Sequence, residues 1–132
     1  MQHPKALAWE ASLKTAFDRI DDFLERKYGG QYPLHPARSA RGGTSNPEQD
    51  GLFNVGAAFS AGYGSRHGPG YIVDVRMATP VSVPAPVRLQ IEEEVVELLR
   101  KELPLVLPGH RLYVERDGPI FKIFGDLSLG KA

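Results

Sequence analysis

The sequence predicts an α+β domain of two layers, two helices over one face of a four-stranded antiparallel sheet, in the chain order αββαββ. Three observations carry that prediction. Leu13, Phe17, Ile20 and Leu24, and later Ile91, Val95, Leu98 and Leu99, recur at helical spacing. Two pairs of segments alternate apolar and polar residues, and each pair is joined by a glycine-containing turn. The 132 residues suffice for one domain, and a chain of this size buries a core without covalent staples.

The first helix is expected over Pro4 to Tyr28, with Ala16 and Phe23 widening its apolar stripe. Pro4 suits a first turn, where its missing N–H is no loss. Asp18, Asp21 and Asp22 are assigned to the wet side, Arg26 and Lys27 to the last turn, where cations suit the helix dipole, and Gly29-Gly30 to a left-handed stop. Residues 31–51 show neither period and contain Pro33, Pro36, Pro47, Gly42 and Gly43. They are expected to form a flexible internal loop with few backbone ladders, or an arm that orders on a partner.

Strict alternation follows. Phe53, Val55, Ala57, Phe59 and Ala61 point one way, Asn54, Gly56, Ala58, Ser60 and Gly62 the other. A glycine-rich turn over 62–70 leads to Tyr71, Val73, Val75 and Met77, alternating with Ile72, Asp74, Arg76 and Ala78. Pro80, Pro84 and Pro86 launch the second helix, with Glu92, Glu93 and Glu94 early and Arg100 and Lys101 late; Pro104 and Pro108 are read as its end. The last hairpin is Arg111–Glu115 and Ile120–Phe124 about an Asp-Gly turn. The expected core is Leu13, Phe17, Ile20, Leu24, Phe53, Val55, Phe59, Val73, Val75, Ile91, Val95, Leu98, Leu112, Val114, Phe121 and Ile123.

Each hairpin pairs internally, and the second helix joins the second strand to the third as a right-handed crossover. With the fourth strand filling the gap, the order is first, second, fourth, third. That is a ferredoxin-like arrangement with its first strand moved to the end of the chain.

Composition narrows the function. Sixteen Lys+Arg balance sixteen Asp+Glu, so the basic excess of a dedicated nucleic-acid binder is missing. No cysteine is present, which removes disulfides, thiolate chemistry and cysteine-based zinc sites. With no apolar run of membrane length and no secretory leader at the N-terminus, the expectation is a soluble, cytoplasmic protein without a membrane partner. His3, His35, His67 and His110 are scattered, no Gly-x-Ser-x-Gly elbow occurs, and the glycine-rich turn lacks a phosphate loop's Gly-Lys-Ser/Thr. No metal and no cofactor are expected, and a binding role is favoured over an enzyme.

The leading expectation is an interaction module that self-associates or binds a protein through the sheet face turned from the helices. Its contact residues are Ile72, Tyr113, Ile120, Lys122 and Phe124, with Gly56, Ala58 and Gly62 small enough for close approach. The alternative is a small-ligand or anion site, or an enzyme, where the glycine-rich turn, the 31–51 segment and the open face meet. The candidates there are Arg66, His67, Asp74 and Arg76, with Arg66 and Arg76 as anion anchors and His67 as the proton carrier. Nucleic-acid binding on the same face is a third reading, disfavoured by the neutral balance. Arg76, Asp74 and Lys122 are expected side by side, opposite charges pairing.

Overall fold

The computed structural model of the chain describes residues 4–40, 42–44, 50–62, 68–118 and 120–125. The elements occur in the expected order: α1 (Pro4–Tyr28), β1 (Phe53–Ser60), β2 (Gly70–Met77), α2 (Ala85–Val106), β3 (Leu112–Asp117) and β4 (Ile120–Gly125). The four strands form one sheet in the order β1-β2-β4-β3, every neighbouring pair antiparallel. This order satisfies both hairpins and the α2 crossover together.

The register settles which residues share a face. Phe59, Tyr71, Ile123 and Val114 lie in one row across the sheet, and Ala57, Val73, Phe121 and Arg116 in the next. These rows face the helices. Phe53, Val55, Val73, Val114 and Ile123 are buried there against Trp9, Leu13, Phe17, Ile20, Leu24 and Tyr28 of α1 and Ile91, Val95, Leu99 and Leu103 of α2. Each such aliphatic or aromatic side chain contributes about 1.5–3 kcal/mol on removal from water. Val75, Leu98, Leu112 and Phe121 pack at the margin, half-buried.

Four local expectations are corrected. Phe59 faces the helix side but is 61% exposed, because burial fades along β1 toward its end. Asp21 is fully buried rather than wet: it is four residues after Phe17 and three before Leu24, inside the apolar stripe. Pro104 does not stop α2, which runs on to Val106 and closes with the Leu107 N–H on the Leu103 carbonyl. Gly29 and Gly30 do not adopt positive φ. Gly29 is required for space instead, since a Cβ there would lie 2.4 Å from the Glu25 carbonyl oxygen.

The helices are tied by polar contacts at one end. Glu94 of α2 accepts from Lys27 and, at 2.8 Å, from the buried Tyr28 hydroxyl. Burial pushes the Glu94 carboxyl up, but the hydrogen bonds from Lys27 and Tyr28 and the Lys27 charge outweigh it and hold the group below its ordinary value. Burial pushes the Tyr28 hydroxyl up, and its bond to Glu94 adds to that. Among its described residues, the stretch between α1 and β1 has one parallel bridge, of Ser39 with Asp50. Its described part is also tied by side chains. Arg38 donates to the carbonyls of Asp50, Gly51 and Phe53 at 2.9–3.0 Å. The buried Asp50 carboxylate accepts from the Gly42 and Thr44 N–H groups, and Glu25 accepts from the Leu52 N–H.

Candidate functional site

The helix-free face of the sheet carries every sequence-predicted contact residue. Tyr113 lies beside Phe124, Glu115 beside Lys122, and Lys122 beside Ile72, which in turn neighbours Ala58. Strand alternation puts Ile120, Asp74 and Arg76 on the same side. Tyr113 is 44% exposed and its ring stacks on Phe124 with centroids 5.5 Å apart. Ile72 and Ile120 are half-buried, and Ala58 is exposed. The β3–β4 side of the face is therefore an aromatic platform, and the β1 margin, with Gly56, Ala58 and Ser60, is low and small.

Lys122 is the surprise of this face. It is 1% exposed although no helix covers it. Its Nζ forms an ion pair with Asp117 at 3.0 Å and donates to the Gly68 carbonyl at 3.0 Å. Its stem lies over Gly70, where a Cβ would sit 3.0 Å from the Lys122 Cγ and Cδ and 2.4 Å from the Ile123 carbonyl oxygen. Glycine at 70 thus makes room for the lysine. The expected pairing of opposite charges on this face falls to Asp74 and Arg76. Asp74 holds Arg76, two residues along the same strand, at 2.7 Å in an exposed pair. Lys122 reaches Asp117 because the β3–β4 register places that carboxylate one diagonal step away.

Arg66 and His67 lie outside the described residues. Among the described residues flanking the expected anion site, Gly51 and Leu52 lead into the start of β1, whereas Ala61 and Gly62 follow its end, eight residues along, so about 25 Å of strand separates these points. Arg38 is spent on backbone carbonyls at the first of these ends. Among the described residues, no group of three His, Asp or Glu side chains is placed to hold a metal ion. No helix of the described residues is long and apolar enough to cross a membrane.

Two further surfaces were not anticipated. A groove of about 310 Å³ runs between α1 and the edge strand β1, lined by Glu10, Leu13, Lys14, Phe17, Ala57, Phe59 and Tyr71. A wetter hollow between α2 and the β3–β4 side is lined by Glu93, Glu97, Arg100, Glu115 and Arg116. The first was hinted at by Phe59, an aromatic that follows the small residues Gly56, Ala57 and Ala58 near the end of β1. Buried Asp50 and half-buried Asp117 gave no such hint, because each is held by contacts that no sequence period encodes.

A family model described as "Uncharacterised protein" matches residues 4–125. The chain belongs to that family. It is also similar to an "Uncharacterized protein" of Borreliella burgdorferi, 36% identical over 106 residues, which span 80% of this chain and 83% of the relative. No solved structure matches the chain. The matched region takes in all six secondary-structure elements, the Lys122–Asp117 pair and the α1–β1 groove.

Proposed function

We propose that the protein is an interaction module that docks a protein partner on the helix-free sheet face. The observation that supports this most is the exposed Tyr113 ring stacked on half-buried Phe124, on a face whose central lysine is already buried and paired. Aromatic groups that offer contact area with little side-chain freedom to lose are the usual anchors of protein interfaces. A nucleic-acid partner needs free cations. Lys122 is withdrawn into the protein, Arg76 is held by Asp74, and Glu115 is exposed, so phosphates would meet carboxylates as readily as bases. The low β1 margin, Gly56 and Ala58, lets a partner's backbone approach.

A photo-crosslinking amino acid at Tyr113, compared with one at the exposed Lys101 of α2, tests this in living cells. One discrete adduct at position 113, absent at 101 and lost on Phe124→Asp, is the expected result. Equal adducts at both positions, or none at 113, would refute the proposal.

A further inference from the structure

The two edges of the sheet differ in a way that bears on self-association. β3 is six residues long and ends Glu-Arg-Asp. β1 is eight residues, Phe-Asn-Val-Gly-Ala-Ala-Phe-Ser, and carries no charge and no proline. All eight are in unbroken register with β2, so no bulge twists the edge away. Long, uncharged, flat edges invite another strand, and proteins that must avoid this place lysine, proline or a bulge there.

The free hydrogen-bonding groups of β1 can be identified. Phe53 pairs with Met77, and the Ala78 N–H donates to the Leu52 carbonyl at 2.6 Å. In an antiparallel ladder this makes Asn54, Gly56, Ala58 and Ser60 the residues bonded to β2. The odd-numbered residues then turn their N–H and C=O groups outward. Arg38 confirms the parity, because it reaches the Phe53 carbonyl from outside the sheet at 2.9 Å. Val55, Ala57 and Phe59 remain, presenting N–H and C=O to the open edge; among the described residues, nothing outside the sheet bonds to their backbones.

We infer that a second copy of this chain pairs along β1, antiparallel, about a twofold axis through Ala57. In that register Val55 of one copy meets Phe59 of the other, Ala57 meets Ala57, and every outward group is used, about six bonds at two per bonded pair. The axis stands perpendicular to the sheet, so both helix layers fall on the same side. Phe59, 61% exposed and edge-on to Tyr71, then lies against the second copy's strand, and the two grooves beside α1 join. The charges on the groove rim suit this arrangement. Glu10 and Lys14 sit one turn apart on α1, and the twofold runs the two α1 helices antiparallel, bringing Glu10 of each copy toward Lys14 of the other. Lys14 already contacts Asp18, but that pair is solvent-exposed and exchanges at little loss. The product is an eight-stranded sheet with two helix-free faces side by side. The pairing rests on the edge strand alone and is independent of what docks on those faces.

The chain has no cysteine, so single cysteines report the register directly. Ala57→Cys places two thiols across the axis with Cα atoms about 5.5 Å apart, within disulfide range. Ala58→Cys staggers them beyond it. Rapid disulfide dimerisation of Ala57→Cys but not of Ala58→Cys is expected; equal crosslinking at both, or none at 57, overturns the pairing. Sedimentation equilibrium of the unmodified chain is expected to show a dimer that Phe59→Lys weakens roughly 30-fold or more in Kd. Tyr113→Ala should leave that dimer intact. A monomer at every concentration, or a dimer broken by Tyr113→Ala and not by Phe59→Lys, would overturn the inference and, in the second case, move self-association to the sheet face.

Discussion

The two faces of the sheet are held by different physics. The helix side is filled by apolar side chains on alternate residues, and any of them is replaceable by another of similar volume. The other side has at its centre one buried cation, Lys122, whose position depends on Asp117, a backbone carbonyl and the missing side chain of Gly70. Burial on the first face is a matter of area; on the second it is a matter of partners. The first tolerates substitution gradually, and the second fails or survives according to which partner is removed.

The largest effect should come from the area-driven face. Phe53 is fully buried beside Tyr28, ring centroids 6.1 Å apart, and Phe53→Ala should destabilise by about 3–5 kcal/mol. Urea denaturation measures this; a loss under about 1 kcal/mol would mean the strand start is not part of the core.

Next is the partner-driven face. Asp117→Ala leaves a buried ammonium without its carboxylate and should cost about 3 kcal/mol. Lys122→Met keeps the apolar stem and removes the charge, while Asp117, its side chain 15% exposed, retains some access to water. That variant should stay within about 1 kcal/mol of the parent. The order of the two denaturation midpoints is the test. Equal losses would show that the pair acts by volume, as the opposite face does.

The same difference explains what could be read from the sequence. Helices, strands, strand order and facing follow from apolar periods, and Leu13, Phe17, Ile20, Val55, Val114 and Ile123 fall where the periods put them. Lys122 was legible as a member of the open face and illegible as a buried group, because its burial comes from Gly68, Gly70 and Asp117, which no period connects. Asp21 was missed for a related reason: its charge was given more weight than its place in the stripe. The ties of Arg38 and Asp50 join residues of an aperiodic segment, and only coordinates show that their groups meet. Of the candidate site, the face and its residues were legible, but the Lys122–Asp117 pairing and the bare β1 edge were not.

A smaller effect sits where the helices meet. Tyr28→Phe removes a buried hydroxyl donating to a carboxylate and should cost about 1.5 kcal/mol. The sign of the pH dependence follows from Glu94, whose carboxyl is held below its ordinary value of 4.5 in the folded protein. Its contribution is fully present above that value and is lost as pH falls through the lower, folded one. Glu94→Gln should therefore lower stability by a constant amount above about pH 6, well clear of an ordinary carboxyl, and flatten that part of the acid limb of a stability–pH profile, the two profiles converging at low pH. An unchanged acid limb would show that the Lys27–Glu94–Tyr28 contacts do not persist in solution.

The smallest expected effect is at Phe59, and it tells area from partners once more. The residue faces the helix side, so by pattern alone its truncation resembles that of Phe53. It is 61% exposed, however, and most of its ring is already in water in the isolated chain. Phe59→Ala should then cost no more than about 0.5 kcal/mol, the range of an ordinary surface substitution. That holds in dilute solution, where β1 has no strand beside it. At concentrations where a second copy pairs along the edge, the ring is covered, and the same truncation removes contact that the monomer never had. The loss measured by thermal denaturation should therefore grow with protein concentration, since a bound partner stabilises the folded chain by mass action. A loss that is large in dilute solution would mean that Phe59 packs within its own chain; a small, concentration-independent loss would leave the edge strand bare.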